Sequence, residues 1–217
     1  MIIAIDGGVA SGKSAVGKRV AEALGLPFVD SGLMYRAVTK LAAERGIDPH
    51  DADAVIHLAR STELRLDGDR VWADGAELTE GIYDADSMDA LPIISAIPAV
   101  REALVAQQRR MGQGGIVMAG RDIGTVVFPN ADHKFFLVAS LDEKVRRRAA
   151  QYERRGERAD PEAMRKEVEA RDRVDTERAV APLRPAADAI VIDTDRLDVE
   201  KVVAQILEHV SMRPGAQ

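Results

Sequence analysis

The sequence predicts an α/β fold in which a parallel β-sheet carries helices on both faces. Two observations predict it. Apolar runs of strand length at 2–5, 28–29, 115–119, 134–138 and 189–192 alternate with segments of helical period. A chain of 217 residues, 46% hydrophobic and 30% charged, also has the size and composition of one globular domain with at most a small inserted module.

Each element has a local cause. Ile2-Ile-Ala-Ile5 is a buried strand, followed at once by glycines and by a helix to about Leu24, which Gly25 and Pro27 stop. Phe28-Val29 begins a second short strand, and a helix over 33–44 is closed by Gly46. The interval 63–80 breaks the rhythm. Glu63-Leu-Arg-Leu and Arg70-Val-Trp-Ala alternate in period two, and Asp67-Gly68 and Asp74-Gly75 can turn, so a β-hairpin or small meander is inserted between helices. Helices fit 99–111, 141–155, 161–178 and 198–210, and the residues from Met212 read as a frayed tail.

Composition excludes several function classes. No run reaches the ~18 apolar residues of a membrane helix. Met-Ile-Ile-Ala-Ile-Asp carries no basic n-region, so no export signal is expected. With no cysteine there is no disulfide framework and no thiolate nucleophile, which fits a cytoplasmic protein. A net charge of −6 argues against a general nucleic-acid partner. Residues 144–178 nevertheless hold twelve Lys+Arg against nine Asp+Glu, which suggests a compact anionic ligand. His50, His57, His133 and His209 lack metal-ligand spacing and read as surface or core residues.

The strongest motif is Gly7-Gly8-Val9-Ala10-Ser11-Gly12-Lys13-Ser14, which fits G-x-x-x-x-G-K-[ST] and lies between a strand and a helix. Such a loop turns backbone N–H groups inward around a phosphate, and the helix N-terminus adds partial positive charge. Lys13 is placed to reach the β- and γ-phosphates of ATP, and the Ser14 hydroxyl to ligate Mg²⁺. The only asparagine, Asn130, is followed by Ala-Asp-His, so the N-K-x-D guanine signature is missing. No apolar run ending in paired acids marks a motor ATPase.

A small-molecule kinase needs a second anion site lined with arginines. Four segments offer one. Asp30-Ser-Gly-Leu-Met-Tyr-Arg36 follows the second strand and reads either as a binding segment or as a capping serine before an exposed arginine. Gly120-Arg-Asp-Ile-Gly-Thr125 places Arg121 at a strand's carboxyl end, or is a turn with a surface ion pair. Arg171, Asp175 and Arg178 share one helix face, as a binding face or a solvated one laced with ion pairs. Arg146-Arg147-Arg148 point in different directions, so at most two of them face a site.

In order, Ser31–Arg36, Ala119–Pro129 and Arg171–Leu183 resemble the bacterial cytidylate kinase family over nearly the whole chain. The resemblance implies a five-stranded parallel core (1–60, 98–146 and 163–217), a nucleotide-monophosphate insert (about 61–97) and a helical lid (about 147–162). It implies ATP and Mg²⁺ as cofactors, CMP or dCMP as acceptor, and a monomer. Arg101 and Asp122 would read the cytosine, and Arg171 and Asp175 the ribose. Arg36, Arg121 and Arg178 would hold the phosphate, beside Ser31 and Tyr35, and Arg147 or Arg148 would act from the lid. The chain departs from the family at Gly8-Val9, usually Pro-Ser, at Ala119, often a carboxylate, and at Pro92, where some members carry a base-contacting serine; Ser95 lies three residues on. Another P-loop small-molecule kinase, for uridylate or another acceptor, shares the loop. An ATP-dependent RNA-binding protein would explain the basic stretch, yet Tyr152 is its sole aromatic residue.

Overall fold

The computed structural model describes residues 1–83, 89–154, 156 and 160–212. Five parallel strands, β1 (Ile2–Gly7), β2 (Phe28–Asp30), β6 (Ile116–Gly120), β7 (His133–Val138) and β8 (Ile190–Asp193), form one sheet in the order β2-β6-β1-β7-β8. The helices of the crossovers cover both faces, so the strands alternate between two apolar clusters rather than between core and water. Ile3 and Ile5 pack with α1 (Lys13–Leu24) and α8 (Val199–Met212), whereas Ala4 joins Val29, Val105 and Met118 on the other face. The order reverses at β1, which lies between β6 and β7, so the crevice at its carboxyl end is the natural place for a ligand. The loop Gly7–Ser14 occupies that place.

The inserted β structure is a three-stranded antiparallel meander of β3 (Leu64–Asp67), β4 (Arg70–Ala73) and β5 (Ala76–Glu77). Asp74 and Gly75 both have positive φ, 50° and 87°, the two-residue turn that an Asp-Gly pair favours. One face of the meander, through Leu64, Val71 and Ala73, is buried on α2 (Gly32–Glu44), α3 (Ala52–Ser61) and α5 (Pro98–Met111). On β3 and β4, Arg65 stacks over the Trp72 ring at 3.6 Å. The meander thus shares its core with helices on either side of it in sequence, including Val100 and Leu104 of α5.

Helix α3 escaped the sequence reading. Its signal was short: Asp51 caps it by accepting from the Ala54 N–H at 3.1 Å, and Val55, Leu58 and Ala59 supply the buried stripe. A short α4 (Leu91–Ala96) precedes α5. The remaining helices, α6 (Leu141–Arg154) and α7 (Pro161–Glu177), pack through Val145, Met164 and Val168, with Val9 of the glycine-rich loop against them. Within the expected lid, residues 155 and 157–159 lie outside the described residues, as do 84–88 of the expected insert and 213–217 of the tail. Among the described residues no helix is long and apolar enough to cross a membrane.

Candidate active site

The glycine-rich loop is built by close approach. A Cβ on Gly7 would lie 2.6 Å from the Leu137 carbonyl oxygen and 2.7 Å from Ser11 Oγ, so only glycine fits there. Lys13 opens α1 and folds back, its Nζ donating to the Gly8 carbonyl at 2.9 Å. Burial pushes its ammonium down to about 7, and the nearby Arg121 adds to that, against Asp30, Asp175 and Asp172. Burial outweighs those three carboxylates, so a further anion beside the ammonium would favour its charged form. Ser14 Oγ donates to Asp30 Oδ2 at 2.5 Å, while Asp30 Oδ1 accepts from the Gly32 N–H at 2.9 Å. A hydroxyl beside a carboxylate is a hard oxygen pair suited to Mg²⁺, so the residues present fit that ion.

The arginine-rich side is assembled from three separate stretches of chain. Buried Asp122 accepts from Arg101 Nη2 at 2.5 Å and lies 3.8 Å from Arg178. Buried Asp175 accepts from Arg121 Nε at 2.7 Å and lies 3.4 Å from Arg171 and 3.7 Å from Arg178. Four guanidiniums over two carboxylates leave two positive charges uncompensated, which matches a phosphate monoester dianion. Burial would raise the Asp175 carboxyl, yet Arg121, Arg171 and Arg178 together hold it below the ordinary carboxylate range. Burial and neighbouring guanidiniums lower Arg171 and Arg178. Among the described residues, buried Arg178 Nη2 and Arg101 Nε have no hydrogen-bond partner, an unusual expense in a folded interior unless a ligand supplies one.

The other expected residues lie around this cluster in different states of engagement. Tyr35 is buried beneath Arg101, whose Cζ sits 5.0 Å from the ring centroid, and burial pushes the phenol up to about 12. Arg36 lies 4.7 Å over the Tyr83 ring, and burial lowers its guanidinium to about 10. Ser31 is sewn to the sheet: its Oγ donates to the Ala119 carbonyl at 3.0 Å and its N–H to the same oxygen at 2.9 Å. Ser95, near Pro92, is buried and offers its carbonyl to Arg101 Nη1 at 3.1 Å.

Neither Arg147 nor Arg148, expected to act from a lid, bonds to the cluster in this structure. Arg147 donates to the Ser11 carbonyl at 3.1 Å, to Thr194 and to Glu143, bracing the glycine-rich loop. Arg148 donates to Glu167 and Gln151 and lies over Tyr152. The cation at the loop mouth is instead Lys144, paired at 2.6 Å with Asp172, whose other oxygen accepts from the Val9 N–H at 3.0 Å.

Sequence reasoning missed three of these residues. Asp30 ends a short strand directly before Ser31, and that place at a strand's carboxyl end is its signal. Asp172 sits between two arginines and reads as one member of a solvated ion-pair helix. Lys144 carries no local pattern.

Comparison with known proteins converges on one family. The cytidylate kinase family model matches residues 3–212. The chain is 46% identical over 218 residues to a cytidylate kinase of Geobacillus kaustophilus, covering 98% of this chain and 97% of that one. It is 45% identical to a cytidylate kinase of Anoxybacillus flavithermus, covering 94% and 93% of the two chains. An uncharacterized protein from Eubacterium ventriosum aligns in structure with a TM-score of 0.53 at 17% identity, over 98% of this chain and 99% of the other, a likeness of fold alone.

Proposed function

The chain belongs to the cytidylate kinase family, and from that premise we propose that it transfers the γ-phosphoryl group of ATP to CMP or dCMP, giving ADP and CDP or dCDP. The observation that carries this reading is the cluster of Arg101, Arg121, Arg171 and Arg178 around two buried carboxylates, close enough to Lys13 for Arg121 to depress its ammonium. A glycine-rich loop takes the donor triphosphate; an arginine cluster of net charge plus two faces it and takes the acceptor phosphate.

The chemistry needs no general base, because the nucleophile is a phosphate oxygen already ionised at neutral pH. What it needs is two polyanions held in line against their repulsion, and charge stabilisation in the transition state. In this reading Arg36, Arg121 and Arg178 hold the acceptor phosphate, with Ser31 and Tyr35 shaping the wall. Arg101 and Asp122 read the base, Arg171 and Asp175 the ribose, and Arg147 and Arg148 reorient from their present partners when the lid closes. Ser14, supported by Asp30, would hold Mg²⁺, which when bound screens the β- and γ-phosphate charge. Closure of α6 and α7 over the loop would exclude water and suppress hydrolysis of ATP. With no cysteine in the chain, the cytoplasm is the compartment we assign.

The test is ADP release with ATP and Mg²⁺ across CMP, dCMP, UMP, AMP, GMP and shikimate. Turnover strongest with CMP or dCMP is the expected result. A stronger signal with another acceptor would discard the base-reading roles of Arg101 and Asp122 while keeping the donor loop.

A further inference from the structure

Asp6 is the last residue of β1 before the glycine-rich loop and has no role in the reading above. It is buried, and its side chain does not enter the arginine cluster. Its two oxygens go elsewhere: Oδ1 accepts from the Ile123 N–H and Oδ2 from the Gly124 N–H, each at 2.8 Å. These are the first two residues of a π-helical turn, Ile123–Val127, in which the Val127 and Phe128 N–H groups bond the carbonyls of Asp122 and Ile123. Immediately before that turn stand Arg121 and Asp122.

The placement follows from the sheet. Asp6 pairs in register with Gly120, the residue before Arg121, so β1 brings one carboxylate beside the start of the acceptor loop. Period two puts Asp6 on the same face as Ala4, which packs in the cluster holding Ile123 and Val127. Every other member of that stripe is apolar, so an apolar side chain would cost less to bury here. A carboxylate alone among side chains presents two separate acceptor oxygens, one for each of the adjacent N–H groups. Burial pushes its carboxyl up to about 6 in spite of those two bonds, so the arrangement is held against a desolvation cost. π-helical turns are rare overall and are frequent at functional sites. The two residues aimed by this one are Arg121, on Asp175 at 2.7 Å, and Asp122, on Arg101 at 2.5 Å.

We infer that Asp6 is a positioning residue for the acceptor: by clamping the Ile123 and Gly124 amides it fixes the loop that aims Arg121 and Asp122. Asp6 does not touch substrate. Its effect passes through Arg121 and Asp122, so its loss falls on CMP rather than ATP. The inference rests on the acceptor reading proposed above.

Asp6→Asn is the first variant, because it keeps the volume and one acceptor oxygen while setting an NH2 donor against the second N–H. Steady-state kinetics on the full-length protein should show kcat/KM for CMP reduced at least about tenfold, with KM for ATP within threefold of wild type. Combining Asp6→Asn with Arg121→Ala should cost less than the product of the two separate losses, since the aim of a missing arginine no longer matters and only the aim of Asp122 is still lost. A purely structural role would lower KM discrimination for neither substrate selectively and would give losses that multiply. Asp6→Ser, smaller and with one acceptor, carries the same readouts if the first variant does not fold. Equal losses toward ATP and CMP, multiplying losses in the double variant, or CMP kinetics within threefold of wild type would each overturn the inference. Wild-type protein without CMP turnover would overturn the acceptor reading and this inference together, whereas wild-type turnover with unaffected variants would overturn the role of Asp6 alone.

Discussion

In the reading proposed above, the donor loop and the acceptor cleft both bind phosphate, and they are made in opposite ways. The donor loop is eight consecutive residues, Gly7 to Ser14, acting mainly through backbone amides, one lysine and a helix N-terminus. The acceptor cleft draws Arg101, Arg121, Asp122, Arg171, Asp175 and Arg178 from three stretches of chain and acts through side chains, with buried carboxylates spacing the guanidiniums. Backbone binds a phosphate wherever it occurs; side chains in a fixed array can also choose what is attached to it. The difference teaches that selectivity here resides on the acceptor side, and that this side depends on the fold for its assembly.

That contrast can be broken by substitution. Lys13→Ala should remove transfer almost wholly, by about 1,000-fold or more in kcat, with an unchanged circular dichroism spectrum; wild-type turnover would defeat the donor-loop assignment. Asp175→Asn leaves three arginines facing an uncharged group, and a loss of about 3 kcal/mol in urea unfolding is expected, on top of weaker CMP binding. If stability were unchanged, Asp175 would not be the spacer of the cleft. Arg121→Ala should lower kcat/KM for CMP by about 100-fold with little change in ATP binding. An effect below about tenfold would remove Arg121 from the acceptor phosphate site.

The smallest expected effect concerns the charge on Lys13. In the free protein burial holds its ammonium near 7, and a bound triphosphate favours the protonated form. Above pH 7 ATP binding must then take up a proton, and ATP affinity should fall by up to about tenfold per pH unit. Titration calorimetry at pH 8 in two buffers of different ionisation enthalpy measures that uptake. None at all would mean that Lys13 is already charged before the nucleotide arrives.

What could be read from the sequence follows the same division. The five parallel strands were legible because each is a short apolar run next to a glycine or a helical pattern, and the Asp74-Gly75 turn because its chemistry is local. The donor loop was legible because its geometry is written in contiguous residues. The arginines of the acceptor cleft could be nominated, since arginines at strand ends and on one helix face are few. Their partners were less visible. That Asp122 bonds Arg101, 21 residues away, and Asp175 bonds Arg121, 54 residues away, depends on crossovers that no local pattern encodes. Arg147 illustrates the converse: the family resemblance, not its arginine triplet, implied a role at the phosphoryl group, while its bonds go to Glu143, Ser11 and Thr194, contacts set by how α6 lies on the sheet.

The contact between Asp172 and the Val9 amide sets an anion of the chain's own against the glycine-rich loop. One oxygen of Asp172 sits on the loop backbone, the other on Lys144, and Arg171 and Asp175 ride on the same helix, so a single stiff rod joins the two halves of the site.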